Sequence, residues 1–291
     1  MRTAGCEPLD PTGLLMMSEA ELASLREGEG ARIARRRDRC WEETFPGFYQ
    51  PVSLLSPLEA RQAGRPSPFC WGYRGSVSDA REGAVTASIP SHLLSIGDGF
   101  DENSIVRNRR SDLRKCREMV EFMRLGDSGP LLEQAYAVFE SALRRVAYWR
   151  PLKHDEYLRR MKKSTADDRK FFIGGIVDGR LGGYMEAFAV DGTLYLKELI
   201  VAAEALGSGI STGLYVEAIS MGVGSGKVDT VCSGLHAPEN EGLCRFKSGL
   251  GFQVVQVPAV SVIPKPIGAY IRARRPGVYY RLTGKRVVTS S

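Results

Sequence analysis

Two carboxylates inside apolar strands are the first residues that could do chemistry. Leu194 to Val201 reads Leu-Tyr-Leu-Lys-Glu-Leu-Ile-Val, an apolar run broken by Lys197 and Glu198, and Glu186 lies in the run before it. An ionisable group in such a place either meets solvent on one strand face or is held to take a proton as a general base. Side chains alternate along a strand, so Lys197 and Glu198 are expected on opposite faces. Next comes the turn Leu206, Gly207, Ser208, Gly209, Ile210, Ser211, followed by a helix expected over Thr212 to Val223. A strand feeding a glycine turn and then a helix leaves backbone N–H groups unpaired, with the positive end of the helix dipole behind them, which is a seat for an anion. Ser208 and Ser211 read as helix caps rather than nucleophiles, since no Ser-His-Asp spacing supports them. Asn240 to Phe252 reads as a short helix capped by Asn240, with Glu241 suiting its dipole and with Phe246 and Lys247 further along.

These segments carry a resemblance. The 206–211 turn is similar to the pyrophosphate-binding loop of the GNAT acyltransferases (Arg/Gln-x-x-Gly-x-Gly/Ala), with Leu206 at the Arg/Gln position and Ser211 in place of the last small residue. Residues 240–252 resemble that family's final Asn, Tyr, Gly-Phe segment with the same spacing, Lys247 standing where the Tyr is expected. The run Gly242-Leu243-x-Arg245-Phe246-Lys247-x-Gly249 is similar to the Gly-Leu-x-Arg-Phe-Lys-x-Gly run of the Fem-type peptidyl transferases, GNAT-fold relatives that move an amino acid from aminoacyl-tRNA onto an amine.

The resemblance spans about residues 105 to 262 and implies an acyltransferase. In such folds the crossover helix forces two parallel strands apart, and the donor's carbonyl lies in the opening. Acyl transfer to an amine needs a base, for which the strand carboxylate Glu198 is the first candidate and Glu186 the second; Lys247, at the position of the resembled family's acid, is the cation for the oxyanion or the leaving 3′-oxygen, and Phe246 beside it is a stacking surface for the terminal adenine. Residues Leu206 to Ser211 and Asn240 are the donor-binding positions. His236, after the strand expected at Val228 to Cys232, is a further candidate base, although a lone loop histidine is more often incidental. The donor is aminoacyl-tRNA or acyl-CoA, bound as a co-substrate rather than a resident cofactor. The departures at Leu206 and Ser211 impair a coenzyme A loop, while Phe246, Lys247 and the basic helices favour tRNA. The acceptor is an amine on a small molecule or peptide. The alternative is a catalytically inert GNAT-fold module that binds a ligand or RNA in the cleft.

The elements that must position these residues are legible in part. Phe171 to Val177, Leu181 to Val190 and Leu194 to Val201 are apolar runs joined by Asp178-Gly179 and Asp191-Gly192, strong hairpin signals. A meander, a crossover helix, the strand at 228–232 and a last strand at Val254 to Val262 make an α+β fold: a mixed, mainly antiparallel twisted sheet flanked by helices. Helices are expected at Leu131 to Val146 and Lys153 to Lys163. Tyr136, Tyr148 and Trp149 are candidate pocket residues, although aromatics at helical spacing are more often core. Asp101 to Met123 reads as a basic helix with the apolar stripe Ile105, Leu113, Val120 and Met123. Its Arg109, Arg110, Arg114 and Lys115 are divided evenly between phosphate contact and plain surface.

Residues 1–104 are expected to form a smaller N-terminal α/β region, in the manner of a degenerate GNAT half, before an acyltransferase domain at 105–291. Ser18 and Glu21 form a capping box for a helix over 19–40 that ends in Arg32, Arg35, Arg36, Arg37 and Arg39. Short strands are expected at 52–55, 69–73, 85–89 and 93–96.

The bounds are broad. The 291 residues are 43% hydrophobic, enough for a substantial core, and 40 Lys plus Arg against 34 Asp plus Glu give a net +6 that admits a polyanionic partner without demanding one. Cys6, Cys40, Cys70, Cys116, Cys232 and Cys244 show no C-x-x-C pair and no histidine at metal spacing, so free thiols and no metal are expected. No signal-peptide core and no apolar run of about 20 residues is present, which leads to the expectation of a cytoplasmic, non-membrane protein.

Overall fold

The computed structural model describes residues 5–59, 61–78, 85–145 and 151–286. Short strands β1 (Cys6–Glu7) and β2 (Met16–Met17) precede helix α1 (Glu19–Gly28), which Ser18 and Glu21 open with the expected reciprocal capping bonds. The helix does not continue to residue 40. The chain turns at Gly30 (φ 101°) into a hairpin of β3 (Ile33–Arg36) and β4 (Arg39–Phe45), whose turn residues Arg37 and Asp38 have φ of 53° and 59°. Two positive φ values in a two-residue loop match the twist of the strands they join. The arginine run therefore lies on a hairpin, not on a helix.

Strands β5 (Phe48–Pro51), β6 (Gly72–Ser76) and β7 (Ala87–Ser95) follow. The strands expected at 52–55 and 69–73 are thus displaced by a few residues, and those at 85–89 and 93–96 are one strand. Helix α2 (Arg107–Met119) is shorter than expected, because a 3-10 turn at Glu102–Ser104 precedes it and the alternating Val-Glu-Phe-Met-Arg-Leu run turns extended as β8 (Val120–Leu125). The helix expected from 131 is two pieces, α3 (Pro130–Glu133) and α4 (Ala135–Leu143), and α5 (His154–Ser164) follows. Tyr148, Trp149 and the expected helix end at Val146 lie outside the described residues. The meander is present as β9 (Lys170–Val177), β10 (Arg180–Val190) and β11 (Thr193–Val201), and both Asp-Gly turns have positive φ at each residue. The chain ends with α6 (Ile210–Ser225), β12 (Thr230–Leu235), α7 (Glu241–Gly249), β13 (Gln253–Val262), α8 (Lys265–Arg274) and α9 (Pro276–Thr283).

These elements form two compact units, neither continuous in sequence: Met1–Met16 with Leu94–Ser233 and Gly249–Gly251, and Met17–Leu93 with Gly234–Ser248 and Phe252–Ser291. In the first, strands run in the order β1-β8-β9-β10-β11-β12, antiparallel as far as β11 and parallel between β11 and β12. Helix α6 packs on β9, β10 and β11, and its Ile210, Leu214 and Ile219 are fully buried. In the second unit the order is β7-β13-β6-β5-β4-β3, with β5 and β6 parallel and the other pairs antiparallel. Its core gathers Trp41, Tyr49, Leu58, Cys70, Tyr73, Val77 and Val260, with the Trp41 and Tyr73 rings edge to face at 5.7 Å.

Candidate functional site

Glu186 on β10 and Glu198 on β11 stand opposite each other in the antiparallel ladder. The next pair is Ala187 with Leu196, so Lys197 has no opposite number and forms a bulge. Strict alternation fails at that point: Lys197 Nζ reaches Glu186 Oε1 at 2.8 Å, while Glu198 Oε2 accepts from Arg160 Nη2 of α5 at 2.6 Å. Lys170, the first residue of β9, lies 2.5 Å from the same Glu186 oxygen and donates to Ser164 Oγ at 3.2 Å. Above this cluster the buried hydroxyls of Tyr157 and Tyr184 bond to each other.

The environment separates the two carboxylates. Burial alone raises the Glu186 carboxyl, but Lys197 and Lys170 together outweigh it, and its pKa lies below the ordinary value. At Glu198 burial wins over Arg160, and the Glu186 charge adds to it, so that carboxyl is raised. One carboxylate is a fixed anion and the other is poised to exchange a proton, the pattern by which acid–base roles are divided. Lys170→Met leaves Glu186 with Lys197 as its remaining cation, so the expected cost is about 2 kcal/mol, less than for a fully orphaned buried carboxylate. A urea unfolding curve checks it.

Strands β11 and β12 are paired only over Thr193–Tyr195 and Thr230–Cys232. Beyond Tyr195 no ladder to β12 is seen among the described residues, and that stretch of β11 carries Glu198. Tyr215 of the crossover helix α6 hydrogen-bonds Ser233 Oγ of β12 at 2.8 Å. The turn before α6 holds Gly209 at φ 77°, where an added Cβ would meet the Asp112 carbonyl oxygen of α2 at 2.3 Å, so only glycine fits. Ser208 is no helix cap: its Oγ donates back to the Ala205 carbonyl at 2.8 Å, and the N-cap of α6 is Gly209. Leu206 and Gly207 are exposed, Ser211 is half-buried and Ile210 is in the core. On α2, Arg114 and Lys115 project into solvent, Arg109 pairs with Asp112 at 2.7 Å, and Arg110 donates to the Asn103 carbonyl at 3.0 Å. Tyr136 sits in an aromatic cluster with Phe139, His154 and Tyr157, which makes it a packing residue.

In the second unit Asn240 caps α7 as expected, its Oδ1 accepting from the Leu243 N–H at 3.1 Å. Phe246 is half-buried and Lys247 is only 6% exposed. His236 is buried, with Nδ1 2.9 Å from the Tyr280 hydroxyl. Beside it lies His92 of β7, which no spacing in the sequence connects to this region. Burial, then the charge of Lys247, pushes His92 down to about 4. Its folded pKa is depressed, so its contribution to stability is present above the ordinary histidine value and is lost as pH falls toward 4.

No protein-family model and no curated protein matches the chain. Solved structures do. The C-terminal DUF2156 domain of a protein assigned as a lysylphosphatidylglycerol synthetase from Agrobacterium fabrum superposes with a TM-score of 0.58 over 94% of this chain and 100% of its own, at 10% identity. L-PGS from Bacillus licheniformis gives 0.58 over 98% and 100% at 12% identity. FemX gives 0.57 over 88% and 99% at 10% identity. Likeness at such identities is a likeness of fold, and the chain has the α+β, GNAT-like fold of these proteins, built on a mainly antiparallel mixed sheet flanked by helices.

Proposed function

We propose that the chain is an acyltransferase that moves an aminoacyl group from aminoacyl-tRNA to an amine of a small molecule or peptide. The observation that carries this reading is the early end of the β11/β12 ladder, with Glu198, its pKa raised, on the β11 stretch beyond it. An ester carbonyl seated there is attacked by an amine. The C–N bond forms as the carbonyl electrons move to oxygen, Glu198 takes the proton the amine sheds, and collapse breaks the C–O bond to the ribose 3′-oxygen, which leaves with the proton that Glu198 gives back through solvent. By the resemblance of residues 242–249 to the Fem-type run alone, Lys247 is assigned the charge that develops on oxygen, and Phe246 the stacking of the terminal adenine.

Three features support tRNA over coenzyme A as donor. Leu206 offers no polar side chain at the head of the turn, the Asp112 carbonyl lies against Gly209, and α2 projects Arg114 and Lys115 into solvent. Among the fold neighbours, the protein assigned as a lysylphosphatidylglycerol synthetase, named for a lysyl group carried on a phospholipid, supports an aminoacyl donor.

The test is a thermal-shift titration with aminoacyl-tRNA, deacylated tRNA and acetyl-CoA. A donor at a hundred times its Kd stabilises by about 2.7 kcal/mol, on the order of 5 °C in Tm. Aminoacyl-tRNA is expected to give this shift. A shift with acetyl-CoA and with neither tRNA overturns the donor assignment. Replacing Arg109, Arg110 and Arg114 by Gln is expected to weaken tRNA binding and to flatten the slope of log K against log salt by about 2. An unchanged slope returns α2 to plain surface.

A further inference from the structure

Three donors from three segments of the second unit meet: His92 from β7, His236 from the loop after β12, and Cys244 from α7. One ligand atom from each of the three lies within 4.8 Å of the other two, and the imidazole rings stand edge to face with centroids 5.2 Å apart. Packing alone gives no reason to bury two imidazoles beside a thiol. One of them is left unsatisfied: His92 is 1% exposed and its Nδ1 has no hydrogen-bond partner among the described residues. Such an orphan is destabilising, and a metal bond removes that cost.

His236 has the arrangement of a ligating histidine. Its Nδ1 is committed to the Tyr280 hydroxyl, which in turn accepts from Gln256 Nε2 at 3.2 Å, and this leaves Nε2 as the ligating nitrogen. The backbone on either side is pinned, with the His236 N–H on the Pro90 carbonyl at 2.8 Å and the Cys244 N–H on the Asn240 carbonyl at 3.0 Å. The Cys244 thiol donates to the Ala237 carbonyl at 3.3 Å. On metal binding it loses its proton to solvent, and that hydrogen bond with it.

We propose that His92, His236 and Cys244 form a zinc site, with the fourth tetrahedral position open to water or to a substrate group. Zinc bonds of about 2.0–2.1 Å to nitrogen and 2.3 Å to sulfur place the donors about 3.3–3.8 Å apart, so they close by about an ångström through side-chain rotation. A thiolate with two imidazoles selects zinc over magnesium or calcium. The charged groups facing the histidines are Lys247, Arg286 and Glu239. The two cations disfavour a hard ion held by charge alone. A metal here would tie β7 to α7, the helix that carries Phe246 and Lys247.

The experiment needs no knowledge of the reaction. The full chain is stripped with a chelator and titrated with zinc against a competing chromophoric chelator, and separately with cobalt(II), whose thiolate charge-transfer band reports sulfur ligation. One zinc per chain is expected, together with a cobalt–thiolate band. Cys244→Ser and His92→Gln should each weaken zinc binding by about 100-fold or more, Cys244→Ser should abolish the band, and Tyr280→Phe should cost about tenfold by freeing His236. Cys6→Ser should change nothing. If His92→Gln fails to fold, Cys244→Ser at its half-buried position still decides the matter. A chain that takes up no zinc at micromolar concentration, or one whose affinity Cys244→Ser leaves intact, overturns the site.

Discussion

Glu198→Gln is expected to lower kcat by about 10³-fold, within the 10²–10⁴ range of a lost general base. The amide keeps the shape of the carboxylate and can still accept the Arg160 hydrogen bond, so the fold should survive. Wild-type kcat/KM should rise with pH across the Glu198 pKa, which burial places above the usual glutamate range, and the variant should lack this limb. Stability runs the other way. The folded state holds the Glu198 proton more tightly than the unfolded chain does, so its contribution is full below the ordinary carboxylate pKa and is lost as pH rises through the folded value. The variant's melting temperature should therefore not show that decline. A variant that keeps both the wild-type rate and the limb removes Glu198 from the reaction.

Lys247→Met should lower kcat by about 10²-fold or more with KM little changed, as for loss of one group that meets charge only in the transition state. Methionine replaces the apolar stem of a side chain only 6% exposed, so packing is conserved. Lys247→Tyr places there the residue that the resembled GNAT segment has at this position, and should rescue little if the donor is tRNA. An independent readout exists, because the Lys247 charge helps hold His92 down. In the chelator-stripped protein the His92 pKa, followed by NMR, should move up in Lys247→Met. Steady-state kinetics beside a melting curve separates the outcomes: wild-type kcat in a folded variant removes Lys247 from the mechanism.

What the sequence disclosed follows the range of the interactions involved. The two Asp-Gly turns and the Ser18–Glu21 capping box are local, and both appear in the structure. The helix expected over 19–40 ends at Gly28 because the chain turns at Gly30, and Arg37-Asp38 adopts a turn geometry that usually marks itself with Asn-Gly or Asp-Gly. The Lys197 bulge depends on pairing with β10, which no pattern within β11 announces, so the expected opposite faces for Lys197 and Glu198 did not allow for it. The His92, His236 and Cys244 cluster was invisible for the same reason. Its donors come from segments far apart in the chain, and short-range metal spacing, the only signal available, is absent. That each unit gathers segments far apart in the chain is likewise a property of long-range pairing.

The most direct measurement of the central claim is transfer itself. Charged tRNA carrying labelled amino acids is incubated with the protein and a pool of small amines and peptides, and the label that survives mild alkali is counted. Alkali cleaves the ester to tRNA and spares a new amide. Wild-type protein should convert label to alkali-resistant product, and Glu198→Gln should slow that conversion by about 10³-fold. Label that remains on tRNA at the rate seen without protein, while the protein still binds the charged tRNA, would contradict the account and identify a binding module in its place.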